Sequence, residues 1–535
     1  MNRKNLDRTK NYFYKNFNLI FSYVSIGIFA FIINYWTGSR GIFPIDSFVH
    51  FDSAIRIIKG EIPLRDYWIV HGAIVDYIQS LFFIIFGENW KAYLIHSSFF
   101  NAVIAIFSFN IFYTLKIKIK YALILSFCIS ILFYPVSGTP FLDIHSVFFS
   151  IISMYLIILF VKTKNALQLF FAIFLLGLAF FCKQVPSGYF IVLVSIFLVL
   201  YSLNEKNIKP ILISFVSLTT FLVCLSFFLI LNKIEFESFF VQLFLFPQEI
   251  SETRFATYKL NIKNIFLDFK FIYLFLIPII IIFIKDLSSK KNYDKKDFYY
   301  SVIMIFFTSS LIYHQIYTKN QIFIFFLIPL LCAFSLYLIE KKKIPYKNYL
   351  INFLVIVCVL ISLKYHGRFN VERKFHELSN VNISNAVPIN IRGNFFSGLR
   401  WITPKFKNPE EEIQIIKDFY ELISKDNSKK MLITHYSFFS GLTQKKLHGV
   451  SRTYDNIAFP SPKSKYFENY KSFFKKNLIK NNIKNIYIFE PGISITEKDL
   501  GHKVFNYLPR NCYTFKNISS HTKVINIKDC EYLKK

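Results

Sequence analysis

Apolar runs of roughly 16 to 22 residues recur along the first two thirds of the chain, close to the about 20 residues that a helix needs to cross about 30 Å of hydrocarbon. They predict transmembrane helices over residues 17–36, 91–113, 120–136, 145–162, 166–182, 186–203, 210–231, 271–285, 298–317, 321–339 and 347–363, eleven in all. Between the first two lies a polar stretch, residues 37–90, far longer than a turn needs. Within it Phe51, Ala54, Ile55 and Ile58 fall on one helical face and Asp52, Arg56 and Lys59 on the other. That pattern predicts a helix lying along the membrane surface, with Asp52 and Arg56 as an i,i+4 pair on its wet face. Asp46 or Ser47 is placed to cap it, Gly60 to end it, and Pro63 forces an extended turn. The following HGAIVDYIQSLFFIIFG is apolar enough to lie in the interface, bracketed by Trp68 and Trp90 as interfacial anchors, or else to form a further span.

Beyond residue 363 the pattern changes. PEEEIQIIKDFYELISK (409–425) has helical spacing with acids in its first turn, KKMLITHYSFF reads as a buried strand, SKYFENYKSFFKKNLIKN as a second helix and IKNIYIFEPG as a second strand. Alternation of strand and helix predicts a small α/β domain with a partly parallel sheet. The expected organisation is a polytopic α-helical membrane domain over residues 1–363, with its first external loop at 37–90, followed by a C-terminal extracytoplasmic α/β domain over 364–535.

Composition agrees with a membrane protein, since 54% of the 535 residues are hydrophobic. The formal charge of +30 is not gathered into one basic stripe with interleaved aromatics, which argues against nucleic acid as a partner. It is distributed by side. If the N-terminus is cytoplasmic, the N-terminal arm and the alternate short loops carry 21 Lys and Arg, against two in the short loops of the opposite side. The basic start runs into an apolar stretch too long for a cleaved signal and reads as a retained first span. An odd number of spans then puts 37–90, 232–270 and the tail together outside. Of seven Cys, five sit in or beside apolar runs as packing residues, and Cys512 with Cys530 can form a disulfide if the tail faces an oxidising compartment.

Three ionisable residues lie at the external ends of spans. Asp46 follows the first span; Asp143, in SGTPFLDIHS with His145 two residues on, is the only acid of its loop; and Lys183, in AFFCKQVPSG, is a lone cation where Pro186 and Gly188 bend the backbone. Arg254, with Tyr258 and Lys259 nearby in the 232–270 loop, offers a fork for phosphate oxygens, and His314 lies near the outer end of its span. A carboxylate that takes a hydroxyl proton, cations that hold a departing phosphate and a water-poor site are what glycosyl transfer from a phosphate to an alcohol requires. A His and an Asp alone are too few ligands for a metal site.

The pattern Asp46, Ala54, Gly60, Pro63, Arg65-Asp66 and His71-Gly72, followed by an aromatic-rich helix ending in Phe86-Gly87, resembles the first external loop of GT-C membrane glycosyltransferases. The nearest branch is that of protein O-mannosyltransferases and the lipid A aminoarabinose transferase. The resemblance implies inverting transfer of a sugar from a polyprenyl-phosphate donor to a glycan, lipid or protein acceptor at the outer face of a bacterial inner membrane. It makes Asp46 the base, with Asp143 beside it; taken with the chemistry of the residues themselves, Lys183 and Arg254 are expected on the donor phosphate, and Arg65, Asp66, His71, His145 and Gln184 in support. Relatives often carry a second acid directly after the first; here that place is Ser47, and position 73 is Ala73 where a proline is usual. No cofactor is therefore assigned, and a divalent metal is left open. Two other classes remain: a transporter or flippase of lipid-linked sugars, and a membrane-anchored envelope assembly protein whose tail is the active part.

Overall fold

The structure is a computed structural model that describes residues 3–134, 136–257, 261–288, 294–318, 324–342, 345–455, 457–493 and 495–534. A helix stands at each expected span: α1 (Arg3–Gly38), then, after the short helices α2 (Pro44–Ser47), α3 (Val49–Ile58) and α4 (Ile74–Phe86), α5 (Trp90–Thr114), α6 (Ile119–Leu132), α7 (Leu142–Thr163), α8 (Ala166–Cys182), α9 (Gln184–Asn204) and α10 (Lys209–Leu231). The connection that follows contains α11 (Phe236–Phe240), a π-helical turn (Val241–Leu245), α12 (Phe246–Thr257) and α13 (Ile262–Asp268), and leads to α14 (Lys270–Ser288), α15 (Lys295–Thr318), α16 (Leu327–Lys341) and α17 (Lys347–His366). Residues 321–323 of the expected tenth span lie outside the described residues.

Among the described residues seven helices are long and apolar enough to cross a membrane: α1, α5, α7, α9, α10, α14 and α17. Of the other four expected spans, α15 with 24 residues is long enough but its apolar run is interrupted by Thr308, Ser309, Ser310, His314 and Gln315, and the remaining three are short. With 14, 17 and 15 residues, α6, α8 and α16 rise only about 1.5 Å per residue, and α16 is buried along almost its whole length by its neighbours. Burial also orders the bundle: 83% of the apolar window of α7 is inside the protein but only 11% of that of α10, so α7 is central and α10 peripheral. Polar residues within spans are spent on joining helices, as expected where lipid offers no partner. Asn101 of α5 donates to Ala30 O at 2.8 Å and Ser130 O at 2.9 Å, tying α1 and α6 to α5. Asn89 and Asn165 cap α5 and α8 by accepting from Ala92 N and Leu167 N, each at 3.0 Å.

In the tail, β1 (Val387–Pro388) pairs with β2 (Arg400–Trp401), and β3 (Lys430–Ile433), β4 (Asn485–Phe489), β5 (Tyr513–Asn517) and β6 (Thr522–Ile527) form a sheet in the order β3-β4-β6-β5. Only β3 and β4 are parallel, and they are linked by α19 (Phe439–Thr443) and α20 (Phe467–Lys480), while α18 (Pro409–Lys425) precedes β3. Both expected helices and both expected strands of the tail are present. The strand read over 429–439 stops at Ile433, because Thr434 Oγ1 accepts from Tyr436 N at 3.0 Å and turns the chain into α19. The disulfide Cys512–Cys530 closes the β5–β6 hairpin across 18 residues.

The polar loop 37–90 departs from its expected setting. Helix α3 does not lie with a wet face on a membrane surface; its polar side is covered by the tail, and Arg56 is 5% exposed. Arg56 Nε donates to Glu61 at 2.6 Å and Nη2 to Gly449 O at 2.6 Å, so its partner is Glu61 rather than Asp52. Neither Asp46 nor Ser47 caps α3; the Ser47 hydroxyl accepts from Phe43 N at 3.2 Å and closes α2 instead. Trp68 and Trp90 are 2% and 0% exposed, hence core residues and not interfacial anchors. Helix α4, with 13 residues, is too short to span and lays Leu81, Ile84, Ile85 and Phe86 outward. Of the five cysteines read as packing residues, Cys224 is exposed on α10.

Candidate active site

The site is built where a helix breaks. Lys183, between α8 and α9, has extended backbone (φ −152°, ψ 129°), and Val185 is non-helical as well (φ −124°, ψ 136°), because Pro186 has no N–H to continue the ladder and disfavours the helical region for the residue before it. The carbonyl of Lys183 freed by this break accepts from Ser187 Oγ at 2.8 Å and Ser146 Oγ at 3.3 Å. Its ammonium is directed at Asp143 in the first turn of α7, with Nζ 2.6 Å from Oδ2 and 2.8 Å from Oδ1. His314 of α15 brings Nε2 to 3.9 Å from the same carboxylate.

The opening loop reaches this pair through His71. Gln184 Nε2 donates to Val70 O at 3.2 Å and Leu243 O at 2.9 Å, which leaves its Oε1 as the acceptor for His71 Nδ1 at 2.9 Å. That assignment makes Nδ1 the protonated nitrogen and Nε2 the one with the lone pair. Burial, then the charges of Lys183 and Arg452, push the His71 imidazole down to about 3, so it is neutral at physiological pH. Gly72 is required beside it: a Cβ there would lie 1.5 Å from Phe181 O at the end of α8. The loop is held a second time by Gln242, whose Oε1 accepts from Ile69 N at 2.9 Å and whose Nε2 donates to Leu64 O at 2.9 Å.

Behind His71 lies an ion cluster that the sequence reading missed. Asp76 of α4, wholly buried, accepts from Arg452 Nη1 at 2.9 Å and faces His50 Nδ1 at 2.6 Å. The opposing charges of Arg452 and His50 hold the Asp76 carboxyl below its ordinary range despite the burial. Arg452 also donates to Gly72 O at 3.2 Å and belongs to the tail, so the tail reaches under the loop. The signal was available: Asp76 is the one charged residue within the apolar run 73–86, and an ionisable group in such a run has a partner or a function. A second missed residue is Arg373, 2% exposed, which donates to Arg40 O at 3.0 Å, Val136 O at 3.3 Å and Ser137 O at 3.0 Å, stapling the end of α1 to the loop before α7.

The structure thus brings Asp143, Lys183, His71, Gln184 and His314 together. Asp46, half-buried in the single turn α2, lies within electrostatic reach of Tyr93, whose hydroxyl in turn donates to Pro140 O at 3.5 Å, three residues before Asp143. Arg65 and Asp66 go elsewhere. Arg65 donates to Asn232 O at 3.0 Å, while Asp66 takes Lys480 of the tail at 2.6 Å and Ile62 N at 2.8 Å. His145 turns away from Asp143 into a buried chain, with Nε2 2.9 Å from His96 Nε2 and Nδ1 3.0 Å from the Tyr134 hydroxyl. The Arg254 side chain, Tyr258 and Lys259 lie outside the described residues.

No known protein family and no curated protein matches this sequence. Its chain path is similar to that of solved structures of ArnT from Cupriavidus metallidurans. With the structure bound to undecaprenyl phosphate the identity is 10%, the TM-score 0.47, and the likeness covers 95% of this chain and 98% of the other. With the apo structure the identity is 10%, the TM-score 0.45, and the coverage 96% and 98%.

Among the described residues no group of three or more His, Cys, Asp or Glu side chains converges as a metal site would require. Both Asp143 oxygens face Lys183, and the residue directly after Asp46 is Ser47, which offers no second carboxylate. Among the described residues this donor set does not fit a divalent ion.

Proposed function

We propose that the protein is a glycosyltransferase of the bacterial inner membrane that moves a sugar, with inversion, from a polyprenyl-phosphate donor to a hydroxyl of a glycan, lipid or protein on the outer face. The observation that carries this reading is the Lys183–Asp143 pair at a helix break, 2.6 Å apart and joined through His71 and Gln184 to the loop whose pattern resembles that of GT-C enzymes.

In the reaction the bond between the sugar C1 and the phosphate oxygen breaks, the acceptor oxygen bonds to C1 from the opposite face, and the hydroxyl proton passes to the Asp46 carboxylate. The phosphodiester donor leaves as a phosphate monoester, so one negative charge develops on it, and Lys183 is the cation that meets that charge. Asp143 keeps the ammonium aimed, and neutral His71 contributes a lone pair without adding charge. The tail, which covers α3 and reaches Asp76 through Arg452, excludes water from the same end of the bundle.

The test is transfer from labelled polyprenyl-phosphate sugars in membranes holding wild type or Asp46→Asn. The variant is expected to insert and bind donor normally and to lose about 10²-fold or more of the transfer rate. Undiminished transfer by an inserted Asp46→Asn protein sinks the assignment of the base.

A further inference from the structure

At the opposite end of the bundle from Lys183 a cavity of about 450 Å³ opens between the α5–α6 turn, the end of α7, the start of α15 and the ends of α16 and α17. Five lysines line it: Lys116, Lys118, Lys162, Lys296 and Lys341. Two of them are answered by acids, Lys341 by Asp294 at 3.1 Å and Asp297 at 2.7 Å, and Lys118 by Glu340 at 3.8 Å. The other three are not. Among the described residues Lys116, Lys162 and Lys296 have no carboxylate within ion-pair distance, and Lys116 and Lys296 lie near enough to Lys162 for their charges to act on it. Lys162 donates to Thr114 O at 2.7 Å and Lys296 to Lys162 O at 3.2 Å, contacts that position the ammonium groups without cancelling their charge.

Three like charges held together at the mouth of a cavity repel one another unless an anion joins them. Part of the lining is apolar, with Leu115, Ile117, Leu336 and Ile351 beside Thr114, three tyrosines and the carboxylates of Asp294 and Glu340, and that part suits the glycerol and the first methylenes of a lipid better than a hydrated free ion. The cavity is also much larger than one phosphate needs, and it lies on the face where the basic loops gather, where anionic headgroups are drawn to polybasic segments. We propose that this cavity is a binding site for the phosphate group of an anionic phospholipid headgroup, which joins the ends of α5, α7 and α15. The inference does not rest on the proposed transferase activity.

The test uses the full-length protein, delipidated in a zwitterionic detergent, with phosphatidylglycerol, phosphatidylcholine or inorganic phosphate as probes. Bound lipid is counted by native mass spectrometry and the thermal midpoint is followed in parallel. Wild type is expected to retain phosphatidylglycerol and to melt higher with it, and to do neither with phosphatidylcholine. The combined variant Lys116→Gln, Lys162→Gln, Lys296→Gln is expected to lose roughly a hundredfold in phosphatidylglycerol retention, about fivefold per lysine. A control with the same charge change on the same face, Lys206→Gln, Lys209→Gln, Lys285→Gln, is expected to behave as wild type. Should the triple variant fold poorly, Lys116→Gln alone, whose side chain is exposed, is expected to show the fivefold loss. Equal losses in cavity and control variants overturn the site, and an equal gain in midpoint from inorganic phosphate alone overturns the lipid as its occupant.

Discussion

Lys183 and Asp143 are 40 residues apart in the chain and 2.6 Å apart in space, with side chains 17% and 6% exposed. The first stands at a break between two helices and the second in the first turn of a third, so the pair fixes the geometry of three spans at one point.

Because both members are largely desolvated, deleting one leaves a charge without compensation. Asp143→Asn is expected to destabilise the protein by about 3 kcal/mol, whereas the double change Asp143→Leu with Lys183→Met is expected to recover most of that loss while remaining inactive. Unfolding midpoints of the single and double variants decide it. A double variant as unstable as the single one contradicts the pairing.

The buried contact of Arg452 with Asp76 ties the tail to the first loop. Arg452→Ala is expected to cost about 3 kcal/mol or more and to raise hydrogen exchange over residues 66–76 and 447–455 together. Exchange that rises in only one of the two segments shows that they are not coupled through this residue.

Asp52 supplies a dependence on pH. Burial is the largest influence on its carboxyl, ahead of the opposing attraction of Arg56, and raises it to about 6. A raised acid binds its proton more tightly when folded, so its contribution to stability is complete below about pH 4 and is lost as pH rises through about 6. Asp52→Asn is therefore expected to stabilise the protein at pH 8 relative to wild type, by at most about 3 kcal/mol and less in proportion to the partial exposure of the side chain. The gain is expected to disappear near pH 4. A constant difference between the two proteins from pH 4 to 8 contradicts the assignment.

The helices of the bundle were legible because an apolar run marks each of them, and the helices and strands of the tail because acids at first turns and buried runs announce them. What covers a helix was not legible. The 3.6-residue period of α3 separates Phe51 and Ile55 from Asp52 and Arg56 equally well whether the polar face meets water or, as here, the carbonyl of Gly449. For the same reason Trp68 and Trp90 carry no mark that distinguishes a membrane interface from a core. In the candidate site, Lys183 and Asp143 stood out as isolated charges at span ends. Arg452 did not, because it lies 376 residues from Asp76 in a tail already rich in lysine and arginine.

The disulfide reports on the side of the membrane. If the tail is extracytoplasmic, protein isolated under thiol-blocking conditions is expected to carry Cys512 and Cys530 unmodified until reduced, and reduction is expected to cost the tail about 3 kcal/mol for a loop of this length. Immediate alkylation of both cysteines in protein from intact cells contradicts the assigned topology.

In the proposed reaction Lys183 meets the phosphate of a polyprenyl-phosphate sugar, a contact that kinetics can test. Its most direct measurement is the rate of sugar transfer from a labelled polyprenyl-phosphate donor by purified protein in nanodiscs, compared among wild type, Lys183→Gln and Lys183→Arg. Lys183→Gln is expected to lose about 10²- to 10³-fold, with a raised donor KM, and Lys183→Arg to recover part of that loss. Transfer by Lys183→Gln at the wild-type rate and KM would contradict it.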